Sequence, residues 1–173
     1  MESADIHVLA RVEWHFFGSL TYKGKVPPER VRNSMWSGFT YQAARVCRSR
    51  PSLLTWCRRE ERGDVFGRLH QHFLLRLEDR SFVNLGTCFT LAAKWEQEMG
   101  GGMARIRLFD PRLAGVDYTC KNLGGGDTYE AKKFNEASAR LTLSHRLQET
   151  LKREARTSIW NRPWIERATK AVR

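Results

Sequence analysis

Several features that would define a secreted, membrane or metal-finger protein are missing from this sequence of 173 residues. No apolar run approaches the ~18–20 residues that a membrane-spanning helix needs. The opening residues, MESADIHVLARVEW, contain no apolar segment behind a basic one, as a secretory leader would. The four cysteines have no CxxC or CxxH spacing, which argues against a structural zinc site and favours buried thiols in a reducing compartment. We therefore expect a soluble, cytoplasmic protein without membrane contacts.

Acidic residues are also scarce. Lys and Arg total 30 against 19 Asp and Glu, which gives a formal net charge of +11. Such an excess favours a polyanionic partner, and for a soluble basic domain nucleic acid is the usual one. No GxxxxGK[ST] phosphate-binding loop occurs, which argues against a nucleotide-driven motor in this sequence.

Hydrophobic periodicity predicts the element order β-α-β-β-α-β-α-α. The predicted strands cover residues 12–22, 52–61, 68–77 and 103–109. The first predicted helix begins at Pro27-Pro28 and has one apolar face made of Val31, Met35, Phe39 and Val46. The other predicted helices cover 87–99, 110–123 and 135–156. The fold class predicted is α+β, with a single antiparallel sheet in a split β-α-β arrangement, helices mainly on one face, and an additional C-terminal helix. We expect a core over residues 1–126 and a basic helical extension over 127–173 that packs on it through Leu143, Leu147 and Leu151.

A pair of histidines lies on the third predicted strand. His70 and His72 are two residues apart, so both rings point to the same side of the sheet, whereas Leu69, Phe73 and Leu75 point to the other. Folding the hairpin through residues 62–68 brings Glu60 or Glu61 beside His70. Strand parity lets only one of the two face the histidines, and we favour Glu61, nine residues before His70, with Glu60 as the alternative. Two imidazoles and a carboxylate suit Mn²⁺ or Mg²⁺. A pair of hydrogen-bonded surface histidines is the alternative.

A tyrosine and a lysine share one face of the helix predicted in GVDYTCKNL. Tyr118, Lys121 and Asn122 lie on this face, opposite Val116, Cys120 and Leu123. A tyrosine hydroxyl there can attack a phosphodiester, with the cation stabilising negative charge. The alternative is an interfacial tyrosine beside an ordinary surface lysine.

Together these motifs resemble the HUH endonucleases, and among them the rolling-circle replication initiator (Rep) proteins with one catalytic tyrosine. The first motif is the strand FFGSLTYKG, the second is the histidine motif in GRLHQHFLL, and the third is YTCK. They occur in the family's order within residues 12–125. Gln71 departs from the family's pattern, which usually has a hydrophobic residue between the histidines.

The resemblance implies a role for each matched residue. His70, His72 and Glu61 would bind the catalytic metal, Tyr118 would attack single-stranded DNA, and Lys121 would position or stabilise the active site. The product would be a 5′-phosphotyrosyl adduct with a free 3′-hydroxyl, and reversal would join strands. The implied partners are single-stranded DNA or an origin hairpin. Because the chain has no helicase phosphate-binding loop, unwinding would need a host helicase or negative supercoiling. DNA contacts are predicted for the basic and amide side chains Arg68, Arg76, Asn122, Lys152, Arg153 and Arg156.

Two other functions compete with replication initiation. A single-strand transposase of the same superfamily also has its histidine motif before its tyrosine, but usually has Gln in the tyrosine helix. A non-catalytic RRM-like domain would bind nucleic acid through sheet aromatics such as Trp14, Phe16 and Tyr22, although no RNP1-type run occurs. Metal dependence separates this binding module from an enzyme.

Overall fold

The computed structural model describes residues 9–62, 68–113, 119 and 141–153. Its five strands are β1 (Phe16–Tyr22), β2 (Thr55–Arg62), β3 (Leu69–Arg76), β4 (Gly101–Leu108) and β5 (Leu141–Leu143). Its longer helices are α1 (Glu29–Val46) and α2 (Leu85–Ala93), which continues as a π-helical turn over Lys94–Glu98; residues 145–153 are also helical.

The strands form one antiparallel sheet in the spatial order β4-β1-β3-β2-β5. Helix α1 connects β1 to β2, and α2 lies between β3 and β4 in the chain. The predicted α+β class, with a split β-α-β sheet, is therefore confirmed. Alternation along the strands gives the sheet a helix face, marked by Leu69, Gln71 and Phe73, and a histidine face, marked by His70 and His72.

The main core lies between the helix face and the two helices. Trp36 and Phe39 of α1 pack with Phe73 of β3, and Trp95 of the π-helical turn packs against Phe39. Gly18 of β1 is required there, because a Cβ atom would lie 2.1 Å from the Phe73 ring. The apolar stripe on α1 was predicted only in part, since Phe39 is buried but Val31 is 45% exposed.

The predicted helix over 135–156 is wrong at residues 141–143, which form β5. The alternating Leu-Thr-Leu segment pairs with Cys57, Arg58 and Arg59 along the outer edge of β2 and satisfies backbone groups there. Ser144 then ends the strand and caps the following helix: its Oγ accepts hydrogen bonds from the backbone N–H groups of Trp56 and Leu147. The helix therefore begins only after Ser144.

A second apolar cluster covers part of the histidine face. Cys57 of β2 and Leu74 of β3 pack there with Leu9, Trp14 and Leu147. Leu147 of the C-terminal segment is 1% exposed in this cluster, and Leu143 and Leu151 pack against it. These side chains therefore cover the part of the histidine face around Cys57 and Leu74.

Other predicted boundaries shift by a few residues. Strand β1 begins at Phe16 rather than at residue 12, and Pro51–Leu53 form a 3₁₀ turn ahead of β2. Of the helix predicted over 110–123, Pro111–Leu113 form a 3₁₀ turn and Thr119 is helical, while its other residues from 114 onward lie outside the described part. The expected boundary between the core and the C-terminal extension, after residue 126, also lies outside the described residues and stays a prediction. No helix among the described residues could span a membrane.

A polar network on the helix face ties α1 to the sheet. Arg32 donates from Nε and Nη2 to the two carboxylate oxygens of Glu60, at 2.9 and 2.8 Å, and the Tyr22 hydroxyl donates to Glu60 at 2.9 Å. Burial raises the pKa of the Glu60 carboxyl, but these hydrogen bonds and nearby positive charges outweigh burial and lower it. Glu60 is therefore ionised, and its hydrogen bonds to Arg32 and Tyr22 anchor the end of β2.

Replacing Glu60 with Gln removes the charge that Arg32 and Tyr22 are arranged around. We expect the free energy of unfolding to fall by about 2 kcal/mol or more, because the Arg32 guanidinium is then left without its counterion in a largely buried position. The exposed pair Lys152–Glu149 provides the control, since Glu149→Gln should cost less than about 0.5 kcal/mol. Urea unfolding of both variants measures the difference, and equal losses would contradict the anchoring role.

His15 is a buried titratable group at the end of the sheet opposite the histidine pair. Its Nδ1 accepts a hydrogen bond from the backbone N–H of Leu77 at 3.1 Å. Burial, and then the charge of Arg76, lower the pKa of His15. The folded protein therefore disfavours protonation, whereas the unfolded chain binds a proton near pH 6.5.

This linkage predicts that the free energy of unfolding decreases as the pH falls below about 6.5, because protons then bind the unfolded chain preferentially. His15→Gln keeps an acceptor for Leu77 and should remove part of that slope, which one proton limits to about 1.4 kcal/mol per pH unit. The control is His145→Gln, at an exposed position. Denaturant titrations from pH 7.5 to 5 measure the slopes, and an unchanged slope in His15→Gln would refute the linkage.

Candidate metal centre

The pairing register of β2 with β3 assembles three candidate metal ligands. Glu61 lies opposite His70, and Arg59 lies opposite His72, so Glu61 and both histidines share the histidine face. Glu60 lies on the other face in the network with Arg32. Glu61, and not Glu60, is therefore the carboxylate that lies beside the two histidines.

The three side chains converge on one oxygen atom. Glu61 Oε1 lies 3.1 Å from His70 Nε2 and 3.0 Å from His72 Nε2, and the three ligand atoms all lie within 4.8 Å of one another. The two imidazole rings are nearly perpendicular, with centroids 4.7 Å apart. His72 is 4% exposed, whereas the side chains of His70 and Glu61 are each 19% exposed, so the group opens to solvent on one side.

The backbone carbonyl of Arg68 determines which nitrogen of His70 carries a proton. Nδ1 of His70 lies 3.2 Å from this oxygen, and a carbonyl oxygen can only accept, so Nδ1–H is the donor. In the neutral ring Nε2 then carries a lone pair and faces the Glu61 carboxylate oxygen. Two acceptors at 3.1 Å require a proton or another cation between them. A carbonyl bonded to the far nitrogen is also the usual support for a metal-binding histidine.

The electrostatics of Glu61 favour its ionised form. Burial raises the pKa of this carboxyl, but the hydrogen bonds to His70 and His72 and their positive charge outweigh burial and hold it far below its usual range. Glu61 therefore offers a carboxylate, and not a carboxylic acid, at neutral pH.

Neighbouring side chains fix the histidine rings. Phe17 of β1 stacks on His72, with centroids 5.9 Å apart and an interplanar angle of 16°. Ser19 and Thr21 of β1 are the register partners of His72 and His70. Arg59, which is 1% exposed, flanks His72 from β2 and adds a buried positive charge to this face.

These observations fit a divalent cation. Ligands at right angles on an octahedral ion with bonds of ~2.1 Å lie about 3 Å apart, which matches the two N–O separations. Two neutral imidazoles and one carboxylate form a mixed donor set that transition metals and Mn²⁺ accept. Within the described residues, Glu61, His70 and His72 can hold a metal ion.

The remaining predicted site residues fall into two groups. Tyr118, Lys121, Asn122 and Arg156 lie outside the described residues, although Thr119, next to Tyr118, is helical and fully buried. Arg76, Lys152 and Arg153 line a cavity of about 1160 Å³ together with residues of the 145–153 helix. Arg76 is four residues from His72 along β3, which corresponds to about 13 Å. These three predicted DNA contacts are therefore separate from the metal centre, whereas Arg68 is exposed beside it.

Two features of this region escaped the sequence analysis. Gln71 faces away from the histidines, as expected, but it is fully buried and its Oε1 accepts a hydrogen bond from Arg58 at 3.3 Å. Arg59 was not singled out, although its position two residues before Glu61 places it on the histidine face by parity alone. Counting residues along the strand would therefore have identified Arg59 from the sequence.

Comparison with known proteins adds no assignment to this site. No protein-family model, curated protein or solved structure matches the chain. The resemblance to HUH endonucleases therefore depends on the three short motifs alone. Of these, the strand motif and the histidine motif from Arg68 onward lie within the described residues.

Proposed function

We propose that this protein nicks and joins single-stranded DNA in a metal-dependent reaction and thereby initiates rolling-circle replication. The observation that carries this proposal is the convergence of Glu61, His70 and His72 on one side of a basic, antiparallel sheet. The motif order and the net charge of +11 support a polyanionic substrate. The proposed setting is the cytoplasm, with a host helicase as partner and an origin hairpin as target.

The metal would be held by Glu61 Oε1 and the Nε2 atoms of both histidines, and Mn²⁺ or Mg²⁺ is the proposed ion. When bound, it would polarise the scissile phosphate and offset its negative charge. The chain contributes the orientation: Phe17 holds the His72 ring, and the Arg68 carbonyl holds the proton of His70 on Nδ1. Both Nε2 atoms therefore face the same point beside Glu61.

Tyr118 is the proposed nucleophile. Its phenolic oxygen would form a bond to phosphorus while the bond from phosphorus to the 3′-oxygen of the preceding nucleotide breaks. The phenolic proton leaves to solvent or a base, and the departing 3′-oxygen takes up a proton to become a hydroxyl. Lys121 would offset charge on the phosphate. Attack by a 3′-hydroxyl on the adduct reverses the step and joins strands.

The metal assignment predicts that the chain binds Mn²⁺ and that Glu61→Gln weakens binding at least about 10-fold, because the only anionic ligand is neutralised. His70→Ala and His72→Ala should have similar effects. Calorimetric titration with MnCl₂ measures the affinities.

Two controls separate this centre from general surface binding. Glu149→Gln removes the same charge at an exposed position of the C-terminal helix, and His145→Ala removes an exposed imidazole. Both should leave Mn²⁺ affinity within about twofold when the variants are folded. Equal weakening by Glu149→Gln and Glu61→Gln would contradict the assignment.

The nucleophile assignment predicts that Tyr118→Phe abolishes covalent attachment to DNA but retains Mn²⁺ and DNA binding, because only the phenolic oxygen is lost. The assay incubates the chain with a pool of single-stranded oligonucleotides and Mn²⁺, then resolves adducts on a denaturing gel. Tyr41→Phe, at an exposed position on α1, is the control and should form the adduct normally. An adduct with Tyr118→Phe would move the nucleophile elsewhere, and DNA binding without any adduct would favour a non-catalytic module.

A further inference from the structure

Strand β4 adds two arginines to the histidine face. Arg105 and Arg107 are the register partners of Ser19 and Phe17 on β1, whose side chains share the face of His72. Both arginines are exposed, whereas the intervening Ile106 packs against the main core. No motif pointed to these residues, because the register of β4 on β1 cannot be read from the sequence.

The sheet places both arginines at a defined distance from the metal centre. Arg105, Ser19 and His72 lie in one row across β4, β1 and β3, and adjacent strands are ~4.8 Å apart, so the Cα atoms of Arg105 and His72 are about 10 Å apart. Arg105 and Arg107 are two residues apart along β4, which corresponds to about 7 Å. Two guanidinium groups at this spacing can each contact a different phosphate of an extended single strand.

Contacts between the side chains join the arginines to the centre. The Arg107 guanidinium lies over the Phe17 ring, 4.9 Å from its centroid, and Phe17 in turn stacks on His72. A cavity of about 520 Å³ is lined by His72, Arg105 and Arg107 and by Phe89, which is 74% exposed. An exposed aromatic ring beside cations is the arrangement with which proteins bind single strands, through base stacking and phosphate contacts.

In the direction away from β4, apolar side chains cover the histidine face. Leu9, Trp14 and Leu147 cover Cys57 and Leu74. A strand seated at His70 and His72 would have to rise over this cluster to reach Arg76, Lys152 and Arg153. Among the residues that the structure describes, those on the route toward β4 are the half-buried Ser19 and Phe17.

We propose that Arg105 and Arg107 bind the phosphates of single-stranded DNA next to the nucleotide held at the metal centre, with Phe89 as a stacking platform. The strand thus crosses the sheet toward its β4 edge. The proposal rests on the proposed function for its substrate, but it makes a separate statement about which side chains hold that substrate.

The experiment compares Arg105→Gln/Arg107→Gln with the wild-type chain, using a 20-nucleotide fluorescent single-stranded oligonucleotide at several salt concentrations in EDTA. EDTA blocks metal-dependent cleavage, so anisotropy reports binding alone. Two lost phosphate contacts should flatten the slope of log K against log salt by about 1.4, because each contributes ~0.7 on a single strand. We expect affinity at low salt to fall at least about 10-fold.

Arg48→Gln/Arg50→Gln is the matched control, because it removes the same charge at exposed positions between α1 and β2. The slope of log K against log salt for this control should differ from the wild-type slope by no more than about 0.3. Equal slopes for the β4 and control variants would overturn the proposal, as would a loss of Mn²⁺ affinity in the β4 variant, since that would indicate a disturbed sheet. If the β4 variant alone loses DNA binding while the wild-type chain forms no adduct with Mn²⁺, the surface is supported and the nicking function fails.

Discussion

The register between β2 and β3 is the constraint on which the candidate site depends. Side chains alternate between the two faces of a strand, so a slip by one residue would move Glu61 to the helix face and Glu60 to the histidines. Arg32 and Tyr22 oppose such a slip because they hold the Glu60 carboxylate on the helix face. The buried residues Phe73 and Leu75 oppose it as well, since exposing them would cost apolar burial. Two consecutive glutamates thus have unlike roles: one fixes the strand and its neighbour faces the histidines.

Much of this arrangement could be predicted from the sequence. Period-2 alternation placed His70 and His72 opposite Leu69 and Phe73, and the short hairpin brought Glu60 or Glu61 beside them, with Glu61 favoured, because both inferences use only local geometry. The element order was sufficient for the split β-α-β sheet. The contribution of Arg68 could not be predicted, since it comes from a backbone carbonyl whose position depends on the hairpin conformation.

What escaped prediction depended on contacts between distant segments. The leucines at 143, 147 and 151 have helical spacing, but Leu143 lies in β5 because the outer edge of β2 offers backbone partners there. Val31 also fits the spacing of an apolar stripe on α1 and yet is exposed, because the face around Trp36 and Phe39 packs on the sheet. Local pattern identifies candidates, and tertiary pairing selects among them.

The late position of β5 in the chain has a consequence for folding during synthesis. Arg59 pairs with Leu141, which is translated 82 residues later, and Leu147 covers Cys57 and Leu74 only after that. Until those residues leave the ribosome, a chain with β1 to β4 in place keeps an unpaired β2 edge and an apolar patch that lacks the cover of Leu147. Such an edge is a template for pairing with other chains. The nascent protein therefore passes through an interval of aggregation risk, whose length is set by the rate of translation.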